Sequence, residues 1–269
     1  YGATDMSACF SCGNCTAICP LASDEYPFPR SVIRRAQIGD REQMKSELAP
    51  WLCYYCGDCS ATCPKGAEPG ETMMAARRWL TAQYDWTGLA RKFYTSIAWE
   101  IGSIVFVGLL ILLMFVFFAG PMATDHVALN AFAPVKYIHY GDWALAAFLS
   151  FFLLSNIFRM YWLTVVKDSS VKVPLTVYIT EAWQLIYHFL TQKQFGKCDE
   201  EHRGFFRKAR WRNHWFLVSG YVLMFALVVG FLPWFQTDNI YPIYHPQRWL
   251  GYYATIALLY GGADILWGR

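Results

Sequence analysis

Long apolar runs alternate with polar loops in the part of the chain that follows residue 92. Four such runs cover residues 97–120, 143–166, 215–235 and 249–267. Because an α-helix rises about 1.5 Å per residue, each run is long enough to cross a hydrocarbon layer of roughly 30 Å. Tryptophans near the ends of the runs are typical of a membrane interface. The pattern therefore predicts a transmembrane helical domain over residues 86–269, with about four spans.

The segment 175–190 is shorter and more polar than these runs. Glu181 and Gln184 interrupt it, and basic residues flank it. Its apolar residues recur at helical spacing, which indicates an amphipathic helix. We therefore expect an interfacial helix that lies along the membrane surface, and not a fifth span. The apolar positions are Tyr178, Ala182, Leu185, Ile186, Phe189 and Leu190.

Residues 1–85 show a different pattern, in which short helical stretches are separated by turns that contain proline and glycine. Helices are predicted at 32–38, 41–48 and 72–83, and no strand pattern is visible. Asp40 stands where an N-cap is expected, directly before the second helix. The fold class predicted for the chain is therefore all-α, a helical domain followed by a transmembrane helical bundle.

Composition and charge agree with a membrane location and add an orientation. The 269 residues are 55% hydrophobic and only 16% charged, and the formal net charge of +3 is too small to suggest nucleic-acid binding. The loop 166–213 is rich in lysine and arginine, and the positive-inside rule places it in the cytoplasm. Two spans separate this loop from residues 1–92, so both regions are predicted to face the cytoplasm. The expected location is the cytoplasmic membrane, crossed several times.

Eight of the nine cysteines form two copies of one spacing, C-x2-C-x2-C-x3-C followed by proline. Thiolates at these intervals are the ligand set of cubane iron–sulfur clusters, and the fourth cysteine of each run binds the other cluster in two-cluster ferredoxins. Two [4Fe–4S] clusters are therefore predicted. One is bound by Cys9, Cys12, Cys15 and Cys63, and the other by Cys53, Cys56, Cys59 and Cys19.

Zinc sites and disulfides are the alternatives for so many cysteines. Zinc sites usually combine two ligand pairs and keep histidine in the set, which two identical four-cysteine runs do not resemble. Disulfides require an oxidising compartment, whereas the predicted orientation puts these residues in the cytoplasm. The ninth cysteine, Cys198, is interpreted as a plain thiol in a basic loop.

Electrons that reach the clusters through lipid need a carrier in the membrane domain, and haem b with two axial histidines is such a carrier. His139 and His214 lie at the starts of the second and third spans, His188 lies on the interfacial helix, and His245 precedes the fourth span. One or two haems are predicted, with His139 paired to His245 and His214 to His188. Each histidine has the alternative of a plain interface residue. Arg159, inside the second span, either contacts a haem propionate or quinone oxygen or snorkels to the membrane surface.

Several segments resemble known families. The stretch R-S-V-I-R-R-A-Q-I-G-D between the motifs, and P-W-L-C-Y-Y-C-G-D-C at the second motif, resemble the C subunit of heterodisulfide reductase, whose fold is an α-helical ferredoxin module. The stretch R-W-R-N-H-W-F-L-V-S-G-Y is similar to the haem b membrane subunit of that enzyme and to the gamma type of nitrate reductase. The fusion of both parts resembles the quinone-interacting membrane-bound oxidoreductase family of sulfate reducers.

The resemblance implies an electron conduit that serves as a subunit of a quinone-linked oxidoreductase. Menaquinol would be oxidised in the membrane, haem b would accept its electrons, and the clusters would pass them to flavin-containing soluble subunits, with adenylylsulfate reductase as final acceptor. No G-x-G-x-x-G fingerprint follows a strand pattern, which agrees with a flavin on a partner. Two alternatives stay open at this point: the membrane and iron–sulfur subunit of a heterodisulfide reductase-type enzyme, and a membrane anchor with structural clusters.

Overall fold

The computed structural model is helical wherever the chain is regular. Among the residues that it describes no strand is present, which confirms the predicted all-α fold class. Cys198 and part of the basic loop 166–213 lie outside the described residues. The structure describes residues 1–118, 120, 124–126, 128, 130, 134–167, 172–192 and 208–267.

Short helices build the first part of the chain. After a 3₁₀ turn, Thr4–Ala8, they are α1 (Asn14–Ile18), α2 (Arg30–Ile38), α3 (Arg41–Lys45), α4 (Ala49–Leu52), α5 (Asp58–Ala61), α6 (Pro69–Tyr84) and α7 (Leu89–Thr95). The helices that follow are α8 (Ile97–Phe118), α9 (Val135–Tyr161, continued by a π-helical stretch, Trp162–Val166), α10 (Leu175–Thr191), α11 (Lys208–Val229), α12 (Leu232–Phe235) and α13 (Pro246–Trp267).

A small apolar core lies between α2, α3 and α6. Its buried members are Phe28, Val32, Ile33, Met44, Ala49, Met73 and Ala76. Val32 and Met73 are fully buried, and burying an apolar side chain of this size contributes about 1.5–3 kcal/mol. Cys9, Cys19 and Cys53 pack against the core, so the same set of side chains supports both cysteine motifs.

The first two predicted short helices are present, with a shifted start for one of them. α2 begins at Arg30, earlier than the predicted 32, because the carbonyl of Pro29 already accepts the amide of Ile33 at 3.2 Å. Asp40 caps α3 as predicted, since its Oδ1 accepts the backbone N–H of Gln43 at 3.2 Å. Such a cap contributes about 1 kcal/mol.

The predicted helix 41–48 is wrong in its second half. α3 ends at Lys45, where the hydroxyl of Ser46 donates to the carbonyl of Gln43 at 3.0 Å and the backbone leaves the helical region. Pro50 then stands within the first turn of the separate helix α4. Proline fits the first turn of a helix but not its interior, so one continuous helix cannot run through this position.

Three of the helices that the structure describes are long and apolar enough to cross a membrane, by length and composition. They are Ile97–Phe118, Val135–Val166 and Trp211–Val229. They correspond to the first three predicted spans. The fourth predicted span is also helical, over Pro246–Trp267, but it is not among these three helices. The helix predicted at 175–190 is present as Leu175–Thr191.

The ends of the second and third predicted spans differ from the apolar runs. The second helix starts at Val135, directly after Pro134, because the polar residues that precede the apolar run continue the helix. The third helix ends at Val229 and not at 235, since Gly230 leaves the helix and Pro233 belongs to the next short helix. Apolarity thus located these helices but did not define their ends.

Small residues allow α11 and α13 to approach closely. A Cβ added to Gly220 would lie 2.5 Å from the Cβ of Ala257, and one added to Gly261 would meet α11 in the same way. The hydroxyls of Ser219 and Tyr253 are 2.6 Å apart. Close backbone contact and a hydrogen bond between helices are typical of helix association within a membrane, where the hydrophobic effect does not drive that association.

By backbone contacts the chain divides into two compact units. One consists of Tyr1–Ile104 and Phe151–Val173, and the other of Val105–Ser150 and Pro174–Arg269. Both cysteine motifs belong to the first unit, and the α11–α13 pair belongs to the second.

Candidate iron–sulfur site

The two cysteine motifs adopt the same backbone conformation. The residue before the second cysteine is left-handed in both, with φ 64° at Ser11 and 54° at Tyr55. The glycine after that cysteine is left-handed too, with φ 91° at Gly13 and 88° at Gly57. A left-handed conformation costs a residue with a side chain about 1–2 kcal/mol. Its occurrence at matching non-glycine positions therefore indicates one specific turn, formed twice.

The second motif ends beside the first. Helices α1 and α5, which carry the third cysteine of each motif, lie against each other. Nδ2 of Asn14 donates to the carbonyl of Thr62 at 2.6 Å, and Nζ of Lys65 lies 5.9 Å from the ring centroid of Phe10. These contacts flank Cys63 and hold its segment against the first motif, as the predicted exchange of fourth ligands requires.

The first motif likewise ends beside the second. Burial raises the pKa of the Cys19 thiol, and charges on Cys53 and Cys56 raise it further. Burial also raises the pKa of Cys59 to about 12, with added contributions from the charges on Cys53, Cys56, Cys15 and Cys19. Cys19 and Cys53 also pack against the same apolar core, which agrees with the predicted assignment of both to one cluster.

Backbone amides point at the cysteine sulfurs. The N–H of Tyr55 donates to Sγ of Cys53 at 3.4 Å, and the N–H of Ala67 donates to Sγ of Cys63 at 3.3 Å. Hydrogen bonds of this kind favour the charged thiolate over the thiol. They also help to set the reduction potential of a bound cluster.

The eight cysteines of the motifs form no disulfide in the described part of the chain, and they differ in exposure. Cys15 is buried and Cys12 is exposed, while the other six lie between these limits. In the described part of the chain, no three His, Cys, Asp or Glu side chains converge closely enough to hold a single metal ion. The ligands of a cubane need not converge in that way, because each thiolate binds its own iron atom. The donor set, the N–H···S bonds and the position of Cys63 beside the first motif fit two [4Fe–4S] clusters, which supply one-electron chemistry when bound.

Two side chains that the sequence did not single out hold the first cysteine of each motif. Nε2 of Gln37 donates to the carbonyl of Cys9 at 2.8 Å, and Nη2 of Arg77 donates to the carbonyl of Cys53. Each stands one helical turn after a fully or almost fully buried residue of the apolar core. A polar side chain on the buried face of an amphipathic helix was the signal that could have identified both residues.

The candidate haem ligands and Arg159 lie on separate parts of the helical region. His139 is near the start of α9, where its Nε2 accepts a hydrogen bond from Nε1 of Trp143 at 3.2 Å. His188 on α10 and His214 in the first half of α11 are both half-buried, as is Arg159 near the end of α9. The structure thus places each residue on the helix that the sequence predicted for it.

His245 has a structural role at the start of α13. Its Nδ1 accepts the backbone N–H of Gln247 at 3.3 Å, and its ring stacks on Tyr241 with 4.0 Å between centroids. A histidine that binds a metal through one nitrogen normally donates from the other. Because Nδ1 of His245 accepts a bond in this structure, its geometry is that of a helix-capping residue.

The similarity of the chain to known proteins concerns the cysteine-rich part. Residues 5–67 match the family of 4Fe-4S dicluster domains. A relative in Archaeoglobus profundus, named as a protein like the C subunit of heterodisulfide reductase, is 32% identical over 106 residues, which are 39% of this chain and 56% of that protein. The chain thus spans about half the length of the curated relative it matches, and no solved structure matches it significantly. Fold, site and similarity together define an iron–sulfur electron-transfer domain that is similar to the C subunit of heterodisulfide reductase.

Proposed function

We propose that the chain is a membrane electron-transfer subunit that passes electrons between menaquinol and cytoplasmic flavoprotein subunits. The observation that carries this proposal is the presence, in one chain, of a dicluster domain and of three helices that are long and apolar enough to span a membrane. Iron–sulfur clusters exchange single electrons, whereas a quinol is confined to lipid. A chain with both parts can therefore connect a lipid-soluble donor with a water-soluble acceptor.

Haem b is the proposed carrier within the membrane part, where it would supply one-electron transfer through the hydrocarbon layer. His139 and His214 stand on helices that are candidate spans, and His214 is the preferred ligand, because Nε2 of His139 accepts a hydrogen bond from Trp143. His188 and His245 are the candidate partners, and the capping contact of His245 makes it the weaker of these two. Arg159 would bind a haem propionate or a quinone oxygen, since an unpaired charge inside a span is costly.

Flavin-containing soluble subunits are the proposed partners, with adenylylsulfate reductase as acceptor in sulfate respiration. Under this proposal the chain corresponds to the C subunit of the quinone-interacting membrane-bound oxidoreductase complex. The similarity of its first part to a protein like the C subunit of heterodisulfide reductase supports the assignment. So does the presence of candidate membrane spans in the same chain.

The cluster domain is proposed to face the cytoplasm, on the same side as the loop 166–213. Cysteine labelling in inside-out and right-side-out vesicles tests this orientation. Labels placed at exposed positions of both regions should react from the cytoplasmic side. Reaction of the two regions from opposite sides would mean that the number of spans between them is odd.

A heterodisulfide reductase-type enzyme is the second candidate, because the relative in Archaeoglobus profundus is named after that enzyme. In this case the disulfide chemistry would take place on an associated protein, and the clusters would deliver its electrons. The two candidates differ in the acceptor that oxidises the reduced clusters. Adding either a heterodisulfide or the enzyme adenylylsulfate reductase to the quinol-reduced complex therefore distinguishes the two functions.

A redox titration of the intact complex from native membranes tests the proposed function. Visible spectra report haem b, and electron paramagnetic resonance reports the clusters. We expect a haem b band and two cluster signals that change reversibly with potential. Clusters that stay in one redox state over the whole range would support a structural anchor, and the absence of a haem band would remove the carrier from the proposal.

A further inference from the structure

The two cysteine motifs share a backbone conformation but differ in the charge of the side chain that holds them. Gln37 on α2 and Arg77 on α6 have corresponding places, because each donates to the carbonyl of the first cysteine of its motif. Gln37 is neutral, whereas Arg77 carries a positive charge. Both side chains can position a cysteine ligand, but only Arg77 can stabilise negative charge on a bound cluster.

Arg77 donates hydrogen bonds to three backbone carbonyls at the start of the second motif. Its Nε donates to the carbonyl of Pro50 at 2.6 Å, and its Nη2 donates to the carbonyls of Trp51, at 3.1 Å, and Cys53. The guanidinium carbon also lies 5.9 Å from the ring centroid of Trp51. The acceptors are neutral, and no ion pair in the described part of the chain includes Arg77. Its charge is therefore not cancelled by a bonded carboxylate.

Arg77 is half-buried and lies beside the backbone of Cys53. Other charges also lie near the motifs, namely those of Asp58 beside Cys56, Glu71 bonded to Tyr55, Arg30 beside Gly13 and Lys65 beside Phe10. Arg77 differs from these in its direct hydrogen bond to the backbone of a predicted cluster ligand, and partial burial reduces the screening of its charge by water.

We propose that Arg77 positions Cys53 and raises the reduction potential of the cluster that Cys53 binds, here called the second cluster. Reduction adds one electron to the cluster and transfers no proton or atom. A fixed cation next to a ligand stabilises the extra negative charge, so it favours the reduced state. Gln37 positions Cys9 without this effect. The inference rests on the proposed function, since it requires both clusters to be bound and redox-active.

The test compares Arg77→Gln with Arg78→Gln in the intact complex. Arg78 is the matched control, because it stands next on the same helix and donates to the carbonyl of Tyr1 at 2.8 Å, away from Cys53. Iron content and a potential titration followed by electron paramagnetic resonance are measured for each variant. The signal that Cys53→Ser perturbs identifies the second cluster. We expect Arg77→Gln to shift its midpoint to a more negative potential, and Arg78→Gln to leave it unchanged.

A fully loaded Arg77→Gln variant with the wild-type midpoint would overturn the inference. If Arg77→Gln loses the second cluster, Arg77→Lys decides, because lysine keeps the charge but not the planar fork of donors. An Arg77→Lys variant that holds the cluster at the wild-type midpoint supports the inference. A negative shift in that variant, or failure to hold the cluster, counts against a role for the charge. Wild-type protein without redox-active clusters would refute the proposed function itself.

Discussion

The dicluster domain and the long helices have similar apolar side chains and bury them very differently. Val32, Met73 and Leu80 of the domain are fully buried. In Ile97–Phe118, by contrast, none of the most apolar window is buried, and Phe117 is 75% exposed. Contiguous apolar surface of this size is rare on proteins that are surrounded by water. The difference shows that the domain makes its own apolar interior, whereas the helix needs lipid or another helix around it.

Exchange of the fourth ligands between the motifs gives the largest expected effect. Cys63→Ser should damage the cluster of Cys9, Cys12 and Cys15, because Cys63 is predicted as its fourth ligand although it belongs to the other motif. Cys19→Ser should in turn damage the cluster of Cys53 and its neighbours. Iron and sulfide analysis and electron paramagnetic resonance measure the loss. The matched variants Cys9→Ser and Cys53→Ser identify which signal belongs to which cluster.

The opposite pairing would contradict the account of the site. If Cys63→Ser perturbs the same signal as Cys53→Ser and leaves the other intact, then each motif binds its own cluster. The contacts of Asn14 with Thr62 and of Lys65 with Phe10 would in that case only pack the two halves together.

Sequence and structure agree where the information is local. The cysteine spacing, the Asp40 cap and the start of the first span at Ile97 each depend on residues within one or two turns, and they were predicted. The hydrogen bonds from Gln37 and Arg77 to the cysteine carbonyls join residues far apart in the chain, so the residue spacing alone did not reveal them. Left-handed turns at non-glycine residues escaped prediction because side chains rarely adopt them. The haem ligands stay a prediction, since one histidine per helix does not specify a partner.

Loss of haem is the second expected effect, and it concerns the long helices. His214→Ala should remove a haem b and block the reduction of the clusters by quinol. Reduction by dithionite should persist, because this reagent reaches the cluster domain without the membrane part. His126→Ala is the matched control, since His126 is exposed and pairs with Asp125. Normal haem content and normal electron flow in His214→Ala would show that His214 is a plain interface residue.

Truncation of one apolar residue in the dicluster domain and one in a long helix tests whether the two regions differ in how their side chains are buried. Leu80→Ala should destabilise the dicluster domain by about 2–5 kcal/mol, because it leaves a cavity in a packed interior. Phe117→Ala should change the stability of that domain by less than about 0.5 kcal/mol. Thermal loss of cluster absorbance measures both variants. Equal destabilisation would mean that Phe117 is packed against protein in the assembled complex.

The smallest expected effect concerns Asp85, between the dicluster helices and α7. Its carboxylate accepts the backbone N–H groups of Thr87 at 2.9 Å and Ala90 at 2.7 Å. Burial alone would raise its pKa, but the hydrogen bonds from Thr87, Ala90 and Leu89 lower it overall. Because the folded pKa is below the unfolded value of about 4, the stabilisation is complete above that pH and is lost as the pH falls through the folded pKa.

Asp85→Asn should therefore cost about 1 kcal/mol at neutral pH, because the amide has one accepting oxygen in place of the two that bind the N–H groups of Thr87 and Ala90. Its difference in free energy of unfolding from the wild type should narrow as the pH falls below about 4. Denaturant unfolding followed by circular dichroism at both pH values measures the difference. A gap that stays constant with pH would show that the charge of Asp85 contributes nothing.

Electron flow from a quinol to the clusters is the most direct test of the proposed electron conduit. Inside-out membrane vesicles that contain the intact complex are mixed with a menaquinol analogue, and haem and cluster signals are followed together. We predict that haem b is reduced first, that both clusters are reduced next, and that His214→Ala stops the clusters from responding. Clusters that dithionite reduces but quinol leaves oxidised in the wild-type complex would contradict it.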